Sequence, residues 1–214
     1  EMSGGLYDIF QKSLKMGAQG REIYHLEIGR PDFDSPEEAK KAAIDALNKG
    51  FVHYTPMSGI DELRAAISEK EYRDNKITSD PNSEIMVTAG ACEALLSIML
   101  GILDPGDEII IPSPYFSAYS DMAAIAGVKI VEVPLKYEKD FVLDVDDIRD
   151  KVTKSTKAIL INTPHNPTGA VLDAENLKKV AEFAIENDLL VISDETYDQF
   201  LFEGKHTSIS TLAG

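Results

Sequence analysis

Five short runs of nearly continuous apolar residues alternate with longer segments whose apolar residues recur every three or four positions. Runs of the first kind are typical of strands buried on both faces, and segments of the second kind are typical of amphipathic helices. The predicted strands are Ile85–Thr88, Glu108–Ile111, Val128–Val133, Ala158–Asn162 and Leu189–Ser193. The helices predicted after them are Cys92–Leu103, Tyr115–Ala126, Val145–Lys151 and Ala174–Asn187.

Strands that alternate with helices in this way predict βαβ units. A mostly parallel sheet with helices on both faces follows, which is a three-layer α/β/α fold. Further helices are predicted before the first strand, over Leu6–Gln19, from Pro36 to Gly50 and over Asp61–Asp74. We therefore expect residues 1–50 to form an arm and a segment like a small domain, and residues 51–214 to form a large domain.

Composition and charge narrow the classes of function. The 214 residues are 43% apolar and 27% charged, which is ordinary for a globular protein. A formal charge of -16 with no basic patch is unfavourable for binding nucleic acid or an anionic membrane surface. No apolar run is long enough for a membrane-spanning helix, and the amino terminus lacks a secretory pattern. Because Cys92 is the single cysteine, we expect a reducing cytoplasm and no intrachain disulfide.

A turn of small residues, Ala89-Gly90-Ala91-Cys92, follows the first predicted strand and leads directly into a helix. Free amides at a helix start, together with the positive end of the helix dipole, can hold a phosphate group. Close packing of the helix on the strand would explain the same small residues, so the turn alone does not decide between these interpretations. The turn has neither the GxGxxG pattern of dinucleotide sites nor the Walker pattern.

A carboxylate follows the last predicted strand. Asp194 comes directly after Leu189–Ser193, at the edge where open parallel sheets bind ligands. A carboxylate in that place needs a cationic partner or hydrogen bonds. A protonated pyridine nitrogen, a structural ion pair, a metal ion or a helix start could each provide them. We predict no metal site, because no histidine cluster accompanies Asp194 and Glu195.

Three more side chains near predicted strand ends could contact a flat ring. Tyr197 could present its phenol on the same side as Asp194, and Asn166 is held between two prolines in a restricted loop. Phe116 could stack on an aromatic ring, although core packing is the commoner role of a single phenylalanine. Each is weak evidence alone, because exposed tyrosines and Asn-Pro turns are common.

Taken together and in this order, these motifs resemble the class I and II aminotransferases, the pyridoxal-phosphate enzymes with the aspartate aminotransferase fold. The resemblance covers nearly the whole chain and is specific, because several separate motifs agree. It implies the large domain of the fold-type I enzymes, incomplete at its carboxyl end, and pyridoxal 5'-phosphate as the cofactor. The matching segments are Gly29–Phe33, Tyr54–Pro56, Gly59–Arg64, Thr88–Cys92, Pro114–Phe116, Asn162–Gly169 and Ser193–Tyr197.

The resemblance implies that the cofactor is held at four places: its phosphate, the face of its ring, its ring nitrogen and its phenolic oxygen. The small-residue turn would bind its phosphate, and Phe116 would stack on its pyridine ring. Asp194 would pair with the ring nitrogen, while Asn166 and Tyr197 would bond the phenolic oxygen. The cofactor-binding residues implied are Gly90, Ala91, Cys92, Phe116, Asn166, Asp194, Tyr197 and Tyr54.

Three further residues match the family at positions that do not contact the pyridine ring. Gly29 matches a glycine whose backbone meets the substrate carboxylate. Tyr54 matches a tyrosine that reaches the phosphate of the neighbouring subunit, which implies a homodimer with shared active sites. Arg64 matches a structural arginine.

The sequence departs from the family pattern in three ways. Cys92 stands where a hydroxyl residue is often found, and Arg30 stands where glutamate or glutamine is common. The family's Schiff-base lysine has no counterpart, because only Lys205 follows Asp194 and its surroundings are unlike that motif. The arginine that binds the substrate's α-carboxylate would also lie past Gly214. We therefore expect no catalytic residue in this chain and no meaningful turnover by the chain alone.

The reaction implied for the intact enzyme moves an amino group between an L-amino acid and a 2-oxo acid. Relatives of this fold also perform C–S lyase, decarboxylase and cyclising synthase reactions with the same pocket, so those reactions stay open. A second alternative is a fold fragment without catalytic activity, whose role is dimerisation or scaffolding.

Overall fold

The computed structural model describes residues 6–29 and 31–212. Backbone contacts divide the chain into two compact units, residues 1–55 and residues 56–214. The domain boundary expected from the sequence pattern, after residue 50, stays a prediction. Arg30, where the sequence departs from the common glutamate or glutamine, lies outside the described residues.

The described residues of the first unit form two helices, α1 (Leu6–Ala18) and α2 (Glu37–Asn48). The α2 helix begins directly after Pro36, as its sequence predicts. Glu37 and Glu38 occupy its first turn, where negative charge stabilises the positive end of the helix dipole.

A polar cluster joins α1 to the segment that follows it. The buried Ser13 donates its hydroxyl proton to Glu27 Oε1 at 2.7 Å, and His25 Nδ1 lies 2.7 Å from the same oxygen. These hydrogen bonds, from His25 first and then Ser13, lower the pKa of Glu27 to about 2. The Ser13 hydroxyl has a second acceptor within reach, the Phe10 carbonyl oxygen at 2.7 Å.

The second unit is built around a parallel sheet with helices before and between its strands. Its described strands are β1 (Glu108–Ser113), β2 (Lys129–Pro134), β3 (Thr156–Asn162) and β4 (Leu190–Asp194). Its helices are α3 (Asp61–Asn75), α4 (Gly90–Ile102), α5 (Ala118–Ala126), α6 (Val145–Arg149) and α7 (Ala174–Glu186). Short 3-10 turns lie at Tyr137–Lys139 and Ile209–Thr211.

The strands are ordered β2-β1-β3-β4, and every neighbouring pair is parallel. The chain moves from β1 to β2 on one side and then to β3 and β4 on the other, so its direction reverses between β1 and β3. Open parallel sheets bind ligands beyond their carboxyl ends at such a reversal. Asn162 ends β3 and aligns with Asp194 at the end of β4, so both residues lie at that edge.

Helices cover both faces of the sheet. Ile109 and Ile111 of β1 join a core cluster with Met99 of α4 and residues of α5. Ile110 belongs to the opposite cluster, which includes Leu177 of α7 and residues of α6. Since alternate side chains of a strand point to opposite faces, β1 is buried on both. The predicted three-layer α/β/α fold with a parallel sheet is confirmed.

The predicted strand Ile85–Thr88 is wrong. Within the described ranges this segment pairs with no strand of the sheet, and the Val87 N–H instead donates to the Ser58 carbonyl oxygen at 3.0 Å. A ladder requires a neighbouring strand, and an apolar run in the sequence does not show whether that neighbour is present. The other predicted strands are confirmed with shifts of one or two residues at their ends.

Arg64 holds the loops on either side of α3 together. Its buried guanidinium donates to the carbonyl oxygen of Gly59 at 3.2 Å and to that of Pro81, and it pairs with Asp61. Gly59 has a φ of 98°, and a Cβ there would lie 2.5 Å from Val87 Cγ2, so only glycine fits this turn. These contacts agree with the structural role that the resemblance implies for Arg64.

Candidate functional site

The carboxylate of Asp194 is held by three hydrogen-bond donors at the end of β4. Tyr119 Oη donates to Oδ2 at 2.6 Å. Thr196 donates to Oδ1 twice, from its backbone N–H at 3.1 Å and from its hydroxyl at 2.6 Å. A carboxylate can accept about four hydrogen bonds, so these donors fix its orientation and still leave it able to accept another.

Asn162 connects Asp194 to the loop that follows β3. Its side-chain amide donates to the backbone oxygen of Asp194 at 2.9 Å, and its Oδ1 accepts from the backbone N–H of Asn166 at 2.7 Å. The Asn166 side chain then donates to Tyr197 Oη at 3.3 Å. The structure therefore brings Asp194, Asn166 and Tyr197 together, three residues that the sequence places near strand ends.

Tyr197 lies in successive tight turns and not in a helix. The Asp198 N–H donates to the Glu195 carbonyl oxygen at 2.9 Å, and the Phe200 N–H donates to that of Tyr197 at 2.8 Å. Since the Tyr197 oxygen accepts from Asn166, its own hydroxyl proton stays available to donate. The second amide proton of Asn166 is available as well, so two donors lie close to the Asp194 acceptor.

Tyr119 is the buried partner of this cluster. Burial raises the pKa of its phenol, and the hydrogen bond to the Asp194 carboxylate raises it further, so Tyr119 stays a protonated donor. The ring of Phe116 meets the ring of Tyr119 edge-on at 5.7 Å between centroids. Phe116 is half-buried, and this contact places it beside the polar cluster.

The start of α4 offers free backbone amides. Gly90 has a φ of 79°, which favours glycine, and its N–H donates to the Thr88 carbonyl oxygen at 2.8 Å. The Glu93 carboxylate accepts from the Ala89 N–H. Within residues 6–29 and 31–212 no acceptor is paired with the N–H of Ala91 or Cys92, as expected for the first turn of a helix.

Cys92 lies in the first turn of α4. After burial and Asp194, smaller electrostatic contributions to the raised pKa of Tyr119 come from Tyr197 and Cys92. Cys92 is exposed, and its thiol is therefore accessible at the helix start. That the phosphate turn and the ring contacts belong to one site stays a prediction.

Gly29 and Tyr54 belong to the unit of residues 1–55. The Tyr54 side chain is fully exposed within this chain. Their contacts with a substrate carboxylate and with the phosphate of a neighbouring subunit stay predictions.

The part of the chain that the structure describes has neither a cluster of metal ligands nor a membrane-spanning helix. There, no group of three or more histidine, cysteine, aspartate or glutamate residues could hold a metal ion. No helix in the same ranges has the length and apolar character needed to span a membrane.

Sequence reasoning missed three residues of the cluster, Tyr119, Asn162 and Thr196. Asn162 carries the same signal as Asp194, a polar residue at the end of an apolar strand. Tyr119 lies three positions after Phe116 near the start of a helix, where the two rings can meet. Thr196 carries no signal of its own, because its bonds to Asp194 depend on the local turn.

An ion pair supports the turn that carries Tyr197. Lys70 of α3 lies 2.9 Å from Asp198 Oδ2 and 3.0 Å from Glu71 Oε1. Burial, the largest single effect, would raise the pKa of Asp198, but the hydrogen bonds from Lys70 and Gln199 and the nearby positive charge together outweigh it, so the pKa is lowered. Burial likewise opposes the raised pKa of Lys70, which results from its bonds to Asp198 and Glu71.

Replacing Lys70 by methionine is expected to lower the free energy of unfolding by at most about 1 kcal/mol at pH 7, because the pair is partly exposed. The ionised Asp198 contributes its full share to the free energy of unfolding above its unfolded pKa of about 3.9. That share is lost as the pH falls through the lower pKa of Asp198 in the folded chain. The contribution of Lys70 is complete below about 10.4 and is lost as the pH rises through its higher native value.

Urea unfolding at pH 7 and at pH 2.5 measures this difference. The two proteins should differ less at the acidic pH. Lys178→Met serves as a control, since Lys178 lies 3.7 Å from Glu182 on an exposed helix face. If Lys70→Met lowers the free energy of unfolding by the same amount at pH 2.5 as at pH 7, the stabilisation does not come from the pair of Lys70 with Asp198.

The comparisons with known proteins identify the family of this chain. The family model for aminotransferase class I and II matches residues 21–214. The aspartate aminotransferase of Pyrococcus abyssi is 45% identical over 205 residues, covering 95% of this chain and 53% of the relative. The aromatic-amino-acid aminotransferase 2 of Thermococcus litoralis is 47% identical over 199 residues, covering 92% and 51%.

A solved aspartate aminotransferase from Thermus thermophilus, crystallised with maleate, has the same fold. It superimposes with a TM-score of 0.95 at 42% identity and covers 99% of this chain and 55% of its own. This chain belongs to the class I and II aminotransferases, and it spans about half the length of the relatives that it matches. The predicted family and the predicted cofactor, pyridoxal phosphate, are confirmed.

The donors and acceptors of the described residues fit that cofactor. The Asp194 carboxylate could accept from a protonated ring nitrogen, and the remaining protons of Tyr197 and Asn166 could be donated to a phenolic oxygen. The free amides of Ala91 and Cys92 suit a phosphate group. Each polar group of the cofactor thus has a candidate protein partner of the complementary kind: an acceptor for the ring nitrogen and donors for the phenolic oxygen and the phosphate.

Proposed function

We propose that this chain is the cofactor-binding part of a pyridoxal-phosphate-dependent aminotransferase. The whole protein would move an amino group between an L-amino acid and a 2-oxo acid. The observation that carries this proposal is the connected cluster at the carboxyl ends of the strands, in which Asp194, Asn166 and Tyr197 lie together. The named relatives act as aminotransferases, which favours this reaction over lyase or synthase chemistry.

Each residue of the cluster has a separate task. Asp194 holds the proton on the ring nitrogen, because an adjacent carboxylate stabilises the protonated form. Tyr197 and Asn166 donate to the phenolic oxygen, and Phe116 covers the ring. The α4 amides at Ala91 and Cys92 hold the phosphate, with Gly90 allowing the close turn. When bound, pyridoxal phosphate supplies an electron sink for the bonds at the amino acid's α-carbon.

The residues of the first unit complete the proposal. Gly29 meets the substrate carboxylate, and Tyr54 reaches the phosphate of a second subunit, so the protein works as a homodimer with shared active sites. Its proposed location is the cytoplasm, which the single cysteine of the sequence supports.

The chain alone is proposed to be inactive as a transaminase. Among the described residues no lysine bonds to Asp194, Asn166 or Tyr197, and Lys205 is exposed. A pure chain of 214 residues should therefore show no transfer from aspartate or an aromatic amino acid to a 2-oxo acid. Measured turnover by such a preparation would contradict this expectation.

Binding of pyridoxine 5'-phosphate to the chain tests the cofactor site directly. This molecule keeps the ring nitrogen, the phenolic oxygen and the phosphate but has no aldehyde, so it does not react with surface lysines. We expect saturable one-to-one binding by titration calorimetry. Pyridoxine, which lacks the phosphate, should bind roughly 10-fold more weakly or worse, because it loses charge-assisted hydrogen bonds to the α4 amides.

Two results would contradict the proposed site. Equal affinity for pyridoxine and its phosphate would remove the role of the α4 amides. Absence of saturable binding by a folded chain would remove the proposed cofactor site as a whole. Inorganic phosphate serves as the control ligand, and it should compete only weakly because it lacks the ring.

A further inference from the structure

The hydroxyl group of Tyr119 is the polar end of a side chain that is otherwise part of the core. Tyr119 is 1% exposed and packs in the cluster between the sheet and helices α4 and α5. Its ring contacts Tyr115 at 6.2 Å and Phe116 at 5.7 Å between centroids. A buried phenol needs a hydrogen-bond partner, and the partner here is Asp194 Oδ2 at 2.6 Å.

We infer that Tyr119 is a positioning residue of the cofactor site, which holds the Asp194 carboxylate in the orientation that meets the ring nitrogen of a pyridoxine-type ligand. The inference rests on the proposed function. Tyr119 would not touch the ligand and would act only through Asp194.

The donors on the two carboxylate oxygens support this role. Oδ1 is held by Thr196, which lies in the same turn as Asp194 and moves with it. Oδ2 is held by Tyr119, which is fixed by the core of a different element. The bond to Tyr119 therefore ties the carboxylate to the rigid part of the fold, while the bonds to Thr196 alone would let the whole turn shift.

The chemistry of the donor also matters. A lysine or arginine in the place of Tyr119 would neutralise the Asp194 charge, whereas a phenol orients the carboxylate and leaves its negative charge for the ring nitrogen. Burial raises the pKa of Tyr119, so it keeps its proton and donates throughout the neutral and mildly alkaline range. A neutral, permanently protonated donor is suited to holding an anion that must attract a cation.

Tyr119→Phe tests the inference with two ligands. One is pyridoxine 5'-phosphate, and the other is its analogue in which a C–H group replaces the ring nitrogen. The variant is expected to bind pyridoxine 5'-phosphate about 10-fold more weakly, the usual effect of one lost hydrogen bond to a charged group. Affinity for the C–H analogue should change by less than about 2-fold, because Asp194 has no proton to meet there.

Tyr115→Phe is the matched control. It removes the same phenol oxygen from the neighbouring ring, but the Tyr115 hydroxyl bonds Glu132 at 3.1 Å and not Asp194. We expect it to leave the preference for pyridoxine 5'-phosphate over the analogue unchanged. In an Asp194→Asn background, Tyr119→Phe should cause no further loss of that preference.

The outcomes separate the inference from the proposed function. Equal weakening of both ligands by Tyr119→Phe would show a merely structural role and overturn the inference. A wild-type chain that binds both ligands equally would overturn the role of Asp194, and the inference with it. If the wild-type chain prefers pyridoxine 5'-phosphate over the C–H analogue and Tyr119→Phe keeps that preference, the inference about Tyr119 is overturned and the role of Asp194 is not.

A second measurement needs no variant. The hydroxyl proton of Tyr119, in a short hydrogen bond to a carboxylate, should give a downfield NMR signal in the unmodified chain. That signal should move when pyridoxine 5'-phosphate binds and stay in place when the C–H analogue binds. A signal that does not respond to pyridoxine 5'-phosphate at saturation would overturn the inference even if Tyr119→Phe failed to fold.

Discussion

Asp194→Asn is expected to lower the affinity for pyridoxine 5'-phosphate by about 10- to 100-fold, the range for losing a hydrogen bond between charged groups. Asparagine keeps the size of the side chain, and its amide oxygen can still accept from Tyr119, so the fold should be preserved. The negative charge that holds the ring-nitrogen proton is lost. Titration calorimetry at neutral pH measures the affinity of both proteins.

The pH dependence of ligand absorbance gives a second signature of this change. A neighbouring carboxylate favours the protonated ring nitrogen, so its pKa should be higher on the wild-type chain than on the variant. Asp198→Asn is the matched control, since Asp198 lies four positions along the same turn and pairs with Lys70. An unchanged ring-nitrogen pKa with Asp194→Asn, or an equal effect of Asp198→Asn, would contradict the role of Asp194.

The sequence predicts those parts of the site that depend on strand ends. Asp194 follows a buried strand, and parallel strands bring their carboxyl ends to one edge of the sheet. For the same reason Asn166, in the loop after β3, meets Tyr197, in the turn after β4. The order of apolar runs is therefore sufficient to place these three residues near one another.

The remaining residues depend on contacts between elements that are distant in sequence. Tyr119 and Asp194 are 75 positions apart, and the bond between them depends on how α5 packs on the sheet. An apolar pattern predicts that Tyr119 is buried but not which atom its hydroxyl meets. The run Ile85–Thr88 shows that a pattern can also predict too much. Its apolar residues suit a strand, but the described sheet has no neighbouring strand with which it pairs.

The cluster also has a structural centre that the resemblance alone did not identify. The buried Asn162 side chain joins the backbone of Asp194 to the backbone of Asn166 by two hydrogen bonds. One amide group thus fixes the distance between the acceptor for the ring nitrogen and a donor for the phenolic oxygen. Stability and ligand binding are coupled at this residue.

Asn162→Ala is expected to reduce the free energy of unfolding by roughly 2–4 kcal/mol, since it leaves a backbone N–H and a backbone carbonyl without one partner each. The Asp194 oxygen keeps its bond from the Thr163 N–H at 3.1 Å, which limits that part of the loss. The Asn166 N–H loses its partner entirely. Urea unfolding followed by circular dichroism measures the change.

Asn166→Ala provides the contrast that separates stability from binding. Its backbone N–H still donates to Asn162, so the free energy of unfolding should fall by less than about 1 kcal/mol, while one donor to the phenolic oxygen is lost. Asn162→Ala should lose both stability and affinity for pyridoxine 5'-phosphate, and Asn166→Ala should lose mainly affinity. If Asn162→Ala unfolds at the wild-type urea concentration, the two loops are held by other contacts and Asn162 does not couple them.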